Sequence, residues 1–189
     1  LLLSSAASDV YKRQMINYEI GFKGNLNKNF LFQTSIFYQD REDVQTKQSI
    51  VTSINSDEQG GLCPCSFTDY IGNAVKGSNY GLEMELIWLI NNKIDLFFNL
   101  GLLETEFNNY LSFSHVDSDL ENGTPVNLNG REQSHAPRYQ LSLGINYKIT
   151  DDLFIKFDIE AKDEFYFSDR HNVQSDDYVL FNLLLGYQK

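Results

Sequence analysis

The chain has 189 residues, a formal net charge of −11, 42% hydrophobic residues and a mean hydropathy of −0.35. That balance argues against a nucleic-acid surface, which needs clustered Lys and Arg, and against disorder, which needs fewer apolar residues. No apolar run approaches the twenty residues of a membrane-spanning helix, whereas 14 Phe and 11 Tyr against 3 Pro suit long, uninterrupted strands.

The first fourteen residues, LLLSSAASDVYKRQ, stand apart. Lys12 and Arg13 follow the apolar stretch, whereas a secretory signal carries its positive charge first. The string is similar to a translated sequencing adaptor, so residues 1–14 are expected to be a non-native leader and residues 15–189 the domain itself.

Seven strands are expected beyond it, each with alternate residues on opposite faces. Residues 16–24 set Ile16, Tyr18, Ile20 and Phe22 against Asn17, Glu19, Gly21 and Lys23. Residues 30–39 set Phe32, Ile36 and Tyr38 against Gln33, Ser35 and Gln39. Residues 79–90 set Tyr80, Leu82, Met84, Leu86, Trp88 and Ile90 against Gly81, Glu83 and Glu85. Residues 94–104 set Ile94, Leu96, Phe98, Leu100 and Leu102 against Asp95, Asn99 and Gly101.

The cleanest is 139–149, YQLSLGINYKI, where Tyr139, Leu141, Leu143, Ile145, Tyr147 and Ile149 oppose Gln140, Ser142, Gly144, Asn146 and Lys148. Residues 153–162 and 178–188 complete the set, and Phe97, Leu103, Phe154, Leu180 and Leu184 break the polar faces. Each strand is close to the ten or so residues that a tilted strand needs to cross a bilayer.

Short and long connections alternate. Residues 25–29, 91–93 and 150–152 read as tight turns, and 40–78, 105–138 and 163–177 as long loops. An outer-membrane barrel places its short turns on one side and its long loops on the other, whereas a β-sandwich has no such sidedness. Phe22, Phe30, Phe32, Trp88, Tyr147 and Tyr187 would form one aromatic belt near the short turns, and Tyr18, Tyr38, Tyr80 and Tyr139 a second. The fold class expected is therefore all-β, a partial transmembrane antiparallel barrel.

Two stretches carry a resemblance. Residues 77–86, GSNYGLEMEL, and 129–147, NGREQSHAPRYQLSLGINY, followed by 168–187, are similar in order and spacing to the C-terminal barrel of the TonB-dependent outer-membrane receptors. The resemblance implies a larger barrel of 22 strands, a preceding plug domain and TonB-contacting segment, and further strands beyond this chain. It implies a receptor-transporter of the bacterial outer membrane, not an enzyme. Its expected partners are membrane lipid, TonB and a scarce small ligand, most commonly an iron–siderophore complex or other metal chelate; no nucleic acid and no cofactor are expected. A passive porin-like channel and a soluble β-sandwich binding module are the alternatives.

No chemistry motif displaces that reading. Residues 72–78, GNAVKGS, lack the Lys that a phosphate loop needs after its last Gly. Asp117, Asp119, Glu121 and Gly123 resemble a calcium loop, but the Gly falls one position late and Leu128 takes the place of the bidentate Glu. His115, His135 and His171 fall in long connections, where solvation is the simpler role. Cys63 and Cys65 flank Pro64, and a strained or intermolecular disulfide, a soft-metal contact and idle thiols all stay open. No catalytic residue and no metal site is nominated. Arg131, His135, Arg138, Arg170 and His171 are the candidate ligand-facing residues, since guanidinium forks suit anionic chelates; the arginines could equally pair with loop carboxylates.

Overall fold

The structure is a computed structural model, which describes residues 14–54, 65–114 and 124–189. The adaptor-like segment before Gln14, Cys63, His115 and the calcium-like residues 117–123 lie outside the described residues.

Seven long strands form one antiparallel sheet in chain order: β1 (Gln14–Asn27), β2 (Phe30–Ile54), β3 (Cys65–Asn91), β4 (Ile94–Asn109), β7 (Tyr139–Lys148), β8 (Leu153–Lys162) and β11 (Tyr178–Tyr187). Two short hairpins sit in the connections, β5 (Leu111–Ser114) with β6 (Thr124–Asn127) and β9 (Phe165–Tyr166) with β10 (Gln174–Ser175). Each long strand pairs with its sequence neighbour in this list, as an up-and-down barrel wall requires. A sandwich would need a second sheet over the apolar face, and among the described residues there is none.

The register stacks like with like. One row across the wall reads Phe32, Leu86, Phe98, Leu143, Ile159 and Phe181; the row beside it on the other face reads Gln33, Glu85, Asn99, Ser142 and Glu160. The apolar rows are half-buried along the inner strands and bare at the edges, with Ile20 at 75% and Leu183 at 74% exposure, while the only fully buried large side chains among the described residues are Phe107 and Tyr110. An apolar face this large, left open to water, would aggregate; lipid is what covers it. Alternation therefore specifies a wall between two different media, with no packed core of its own.

The aromatic spacing matches the thickness of a membrane. Tyr38 and Phe30, Tyr80 and Trp88, and Tyr139 and Tyr147 are each eight residues apart. Eight residues span about 27 Å along a strand, close to the roughly 25 Å apolar band of a membrane barrel. Tyr147 stands two residues nearer the turns than Ile145, the residue in the Trp88 row, and Tyr187 stands two nearer again than Leu185, the residue in the Tyr147 row. Each of these steps crosses two strands. From β3 to β11 this shift of about one residue (~3.4 Å) per ~4.8 Å of strand spacing corresponds to a tilt of about 35°, whereas Tyr18, Tyr38 and Tyr80 stand in direct register across β1 to β3, as do Phe30 and Trp88 across β2 and β3.

Three phenylalanines on the polar face have glycine partners. Phe37 lies opposite Gly81, Phe97 opposite Gly144 and Phe154 opposite Gly186. In each pair a Cβ on the glycine would run into the neighbouring ring. The glycines are the seats on which the rings lie flat, so ring and glycine act as one cross-strand unit.

The three short turns close by one device, a side-chain oxygen capturing backbone N–H groups just ahead of it. Asn27 Oδ1 accepts from Asn29 N at 2.8 Å. Asn91 Oδ1 accepts from Lys93 N at 2.8 Å and Ile94 N at 3.0 Å. Thr150 Oγ1 accepts from Leu153 N at 3.0 Å.

The expected loop 40–78 needs correction. β2 and β3 continue as a paired ribbon to Ile54 opposite Cys65, with register shifts between Arg41 and Thr46, and residues 72–78 are part of β3. Past Asp40 the sequence loses its two-faced alternation, while backbone pairing continues. The loops 105–138 and 163–177 likewise contain strand: the end of β4 and the two short hairpins.

Two outcomes test this wall in the full-length protein. Leu143→Arg, midway between the belts, costs about 2–4 kcal/mol by denaturant titration in vesicles, while Ser142→Arg on the polar face costs far less. Gly144→Ala destabilises by about 1–3 kcal/mol, and adding Phe97→Leu recovers part of the loss in a double-mutant cycle.

Candidate functional site

At the end opposite the short turns, residues 128–138 fold back over the polar face of β2, β3 and β4. Gln133 is the tie. Its backbone N–H donates to Thr105 Oγ1 at 3.0 Å, its Nε2 to Asn79 Oδ1 at 2.7 Å, and its Oε1 accepts from Arg41 at 2.8 Å. Arg41, Asn79 and Thr105 share the parity of the polar rows, so one glutamine spans three strands on that side. Below it Phe107 meets Tyr110 edge-on at 4.9 Å, with Val44 and Leu128 packed against the pair. Backbone bonds from Gly130 N to Phe107 O at 2.8 Å and from Phe107 N to Arg131 O at 2.9 Å bind the segment to the end of β4.

The β9–β10 hairpin docks on this segment. The Arg131 guanidinium lies 4.1 Å from the centre of the Tyr166 ring. It donates to Asn172 Oδ1 at 2.8 Å, to Ser168 O at 3.3 Å and to His171 O. Ser134 N donates to Asp169 Oδ1 at 2.8 Å, and His135 N to Tyr166 O at 2.8 Å. Two connections that leave different strands thus interlock into one cap.

The five nominated residues separate by role. Arg131 is engaged inside the cap. Arg138 pairs with Glu132 through Nε at 2.8 Å, with Glu104 at 4.0 Å. The hydrogen bond and charge of Glu132, then Glu104, raise the Arg138 pKa above its ordinary value. His135 is exposed on the cap, in a left-handed backbone conformation with φ 58. Arg170 and His171 sit in the hairpin, His171 exposed and Arg170 half-buried. Gln133, Tyr166, Asp169 and Asn172 carry the assembly and were not singled out by sequence. The one signal for them is FYF at 165–167, three aromatics in succession inside a connection.

Beneath the cap the polar face is concave, with a cavity of about 600 Å³. Glu83, Glu85 and Glu160 bring carboxylates to its lining, Asn99, Gln140 and Ser142 bring neutral polar groups, and Lys162 is its one cation. Pro137, Lys162 and Tyr178 line it where it meets the cap. Among the described residues no three of His, Cys, Asp and Glu converge as metal ligands. Met84, Leu103 and Leu141 line the cavity as well, so the arrangement offers a trough of mixed polar and apolar lining under an ordered lid, suited to binding and passage.

Fold and site together define a section of barrel wall with a capped mouth. The sequence pattern of the TonB-dependent receptor-like β-barrel matches residues 14–189, and the chain belongs to that family. Its members are transport receptors, not enzymes. The chain is similar in structure to the ferric yersiniabactin uptake receptor FyuA from Yersinia pestis, with a TM-score of 0.65 and 19% identity over 93% of this chain and 22% of that one. It is also similar to the siderophore receptor PiuA from Acinetobacter baumannii, with a TM-score of 0.66 and 18% identity over 92% of this chain and 22% of that one. The chain therefore spans about a fifth of the length of these neighbours.

Gln133→Ala tests the tie. Backbone amides of residues 131–138 should exchange with solvent at least about tenfold faster, while those of β7 keep their protection, because the lost bonds hold only the cap.

Proposed function

We propose that this chain is part of the wall and outer mouth of a bacterial outer-membrane receptor-transporter. It captures a scarce ligand, foremost a ferric siderophore or another metal chelate, and admits it with energy supplied through TonB. The observation that carries this reading is the interlocked cap over a trough on the polar face, at the end of the wall away from the tight turns. A passive channel gains nothing from ordering its mouth by so many polar contacts, whereas a receptor needs a preformed surface for its ligand. The siderophore receptors that share the fold support the ligand class.

The five nominated residues then divide the work. Arg131 and Arg138 build the surface, and His135, Arg170 and His171 lie where a ligand would arrive. The cap faces the exterior and the short turns face the periplasm.

Two measurements test the proposal. In the native host, deletion of the full-length gene should abolish uptake of at least one ⁵⁵Fe-labelled chelate, and loss of TonB should do the same. Uptake that persists without TonB would favour the porin-like channel. Val173→Cys should react with a membrane-impermeant maleimide on intact cells, and Asp151→Cys only after the outer membrane is opened. The reverse pattern would invert the topology and remove the binding argument.

A further inference from the structure

The three ring-and-glycine pairs are not spread evenly over the wall. Phe37 faces Gly81 across β2 and β3, Phe97 faces Gly144 across β4 and β7, and Phe154 faces Gly186 across β8 and β11. These are the strand pairs joined through the capped end, by residues 55–64, 110–138 and 163–177. On the luminal face the pairs joined by tight turns have no such unit: Gly21 faces Ser35, Gly101 faces Glu83 and Gly144 faces Asp158. On the lipid face Gly24 lies opposite Phe32, but the ring that a Cβ there would meet is Phe22 of its own strand. Each unit also has the same order, with the ring on the earlier strand and the glycine on the later.

A tight turn sets which residues of its two strands face each other, and a long connection does not. In the ribbon of β2 and β3 three register shifts separate the tip from the wall, so the tip cannot align the wall either. The lipid face is equally indifferent. A slip of two residues keeps every side chain on its own face and every backbone group paired. Leu96, Leu100 and Leu102 on β4 offer much the same partner to Leu141, Leu143 and Ile145 on β7. The lumen does discriminate. A slip sets Phe97 against Ser142 or Asn146, and Phe154 against Leu184 or Gln188, whose side chains stand where the ring must lie. It also moves the base of the cap. Leu103 N donates to Arg138 O at 2.8 Å and Gln133 N to Thr105 Oγ1 at 3.0 Å, and a displacement of ~6.8 Å parts both bonds.

We propose that these units are register locks, one for each pair of strands that no tight turn aligns, and that Phe97 with Gly144 is thereby the positioning pair for the mouth. The ring is the key and the missing side chain is the seat, so the match holds at one register and fails at its neighbours two residues away. Aliphatic rows cannot do this, because they repeat. The lock sits in the lumen because that face need not repeat: it has no lipid to satisfy. The inference rests on the barrel wall and requires no particular ligand.

The test uses the full-length protein in outer membranes, with Cys63→Ser and Cys65→Ser to remove competing thiols. Gln140→Cys is combined with Gly101→Cys, which reports the native register. It is combined separately with Leu103→Cys or Asn99→Cys, which report slips of two residues in either direction. A side chain added at Gly101 meets open space. Directly opposed positions stand about 5.5 Å apart, within disulfide reach, and diagonal ones about 7–8 Å apart, beyond it. With Phe97 in place, oxidation should join position 140 to 101 and leave 99 and 103 at background. Phe97→Ser should raise a slipped disulfide to at least about a tenth of the native yield. Moving ring and seat together, by Phe97→Ser, Gly144→Ser, Asn99→Phe and Ser142→Gly, keeps the native register and should return the slipped yield at 103 to background. If Phe97→Ser lowers thermal stability yet position 140 still joins 101 alone, the ring only packs and the lock is overturned. If Phe97→Ser does not assemble, the moved lock decides: assembly with 101 joined to 140 upholds the proposal, and failure to assemble overturns it.

Discussion

Every backbone N–H and C=O inside a bilayer must find its partner within the protein, because lipid offers none. In this chain that constraint is met sideways, by strand on strand, and each register pair from β1 to β11 satisfies it. Side chains are then free to differ completely on the two faces, since they carry none of the backbone's hydrogen bonds. The wall can be aliphatic and aromatic toward lipid and carry Glu83, Glu85, Asn99, Gln140 and Glu160 toward the lumen. β1 and β11 each pair on one side only among the described residues, so the same constraint demands further strands beside them in a membrane.

The lumen face is less free than it looks. Where a luminal Phe lies in the wall, the strand beside it offers a glycine, so steric room and ring are supplied together. Above the apolar band the logic reverses: water satisfies the backbone, the two-faced pattern is no longer required, and hydrogen bonds become specific. Gln133 and Arg131 work in that zone, each bridging elements that the sheet itself does not connect.

The wall was legible in the sequence because alternation, belt spacing and turn chemistry are all local. The boundaries expected for 153–162 and for the starts of the strands at 30, 94, 139 and 178 match the structure for that reason. Past Asp40 the sequence showed less: β2 and β3 go on pairing, but pairing between residues as distant as Gln48 and Tyr70 leaves no local mark once alternation stops. The cap was partly visible. Arginines and histidines of 131–138 and 170–171 stood out by type, but Gln133 and Asn172 act through contacts 28 to 92 residues away, which no local pattern encodes.

Arg131 and Arg138 show why residue type alone does not assign a role. They lie seven positions apart in one segment, carry the same group, and read alike in the sequence. Glu132 takes up the charge of Arg138, and its pKa rises because the pair stabilises the charged form. Arg131 meets no carboxylate in these contacts; neutral oxygens and a ring take its fork instead, so what it gives is geometry. A cation spent on structure is not available to attract an anion directly, yet it decides where the groups around it stand. In the receptor reading proposed above, recognition at this mouth rests more on the surface that the arginines order than on the arginines themselves. That is also the arrangement with the smaller desolvation cost: an arriving chelate meets a surface already ordered and already paired, and need not strip a guanidinium of its partners to bind.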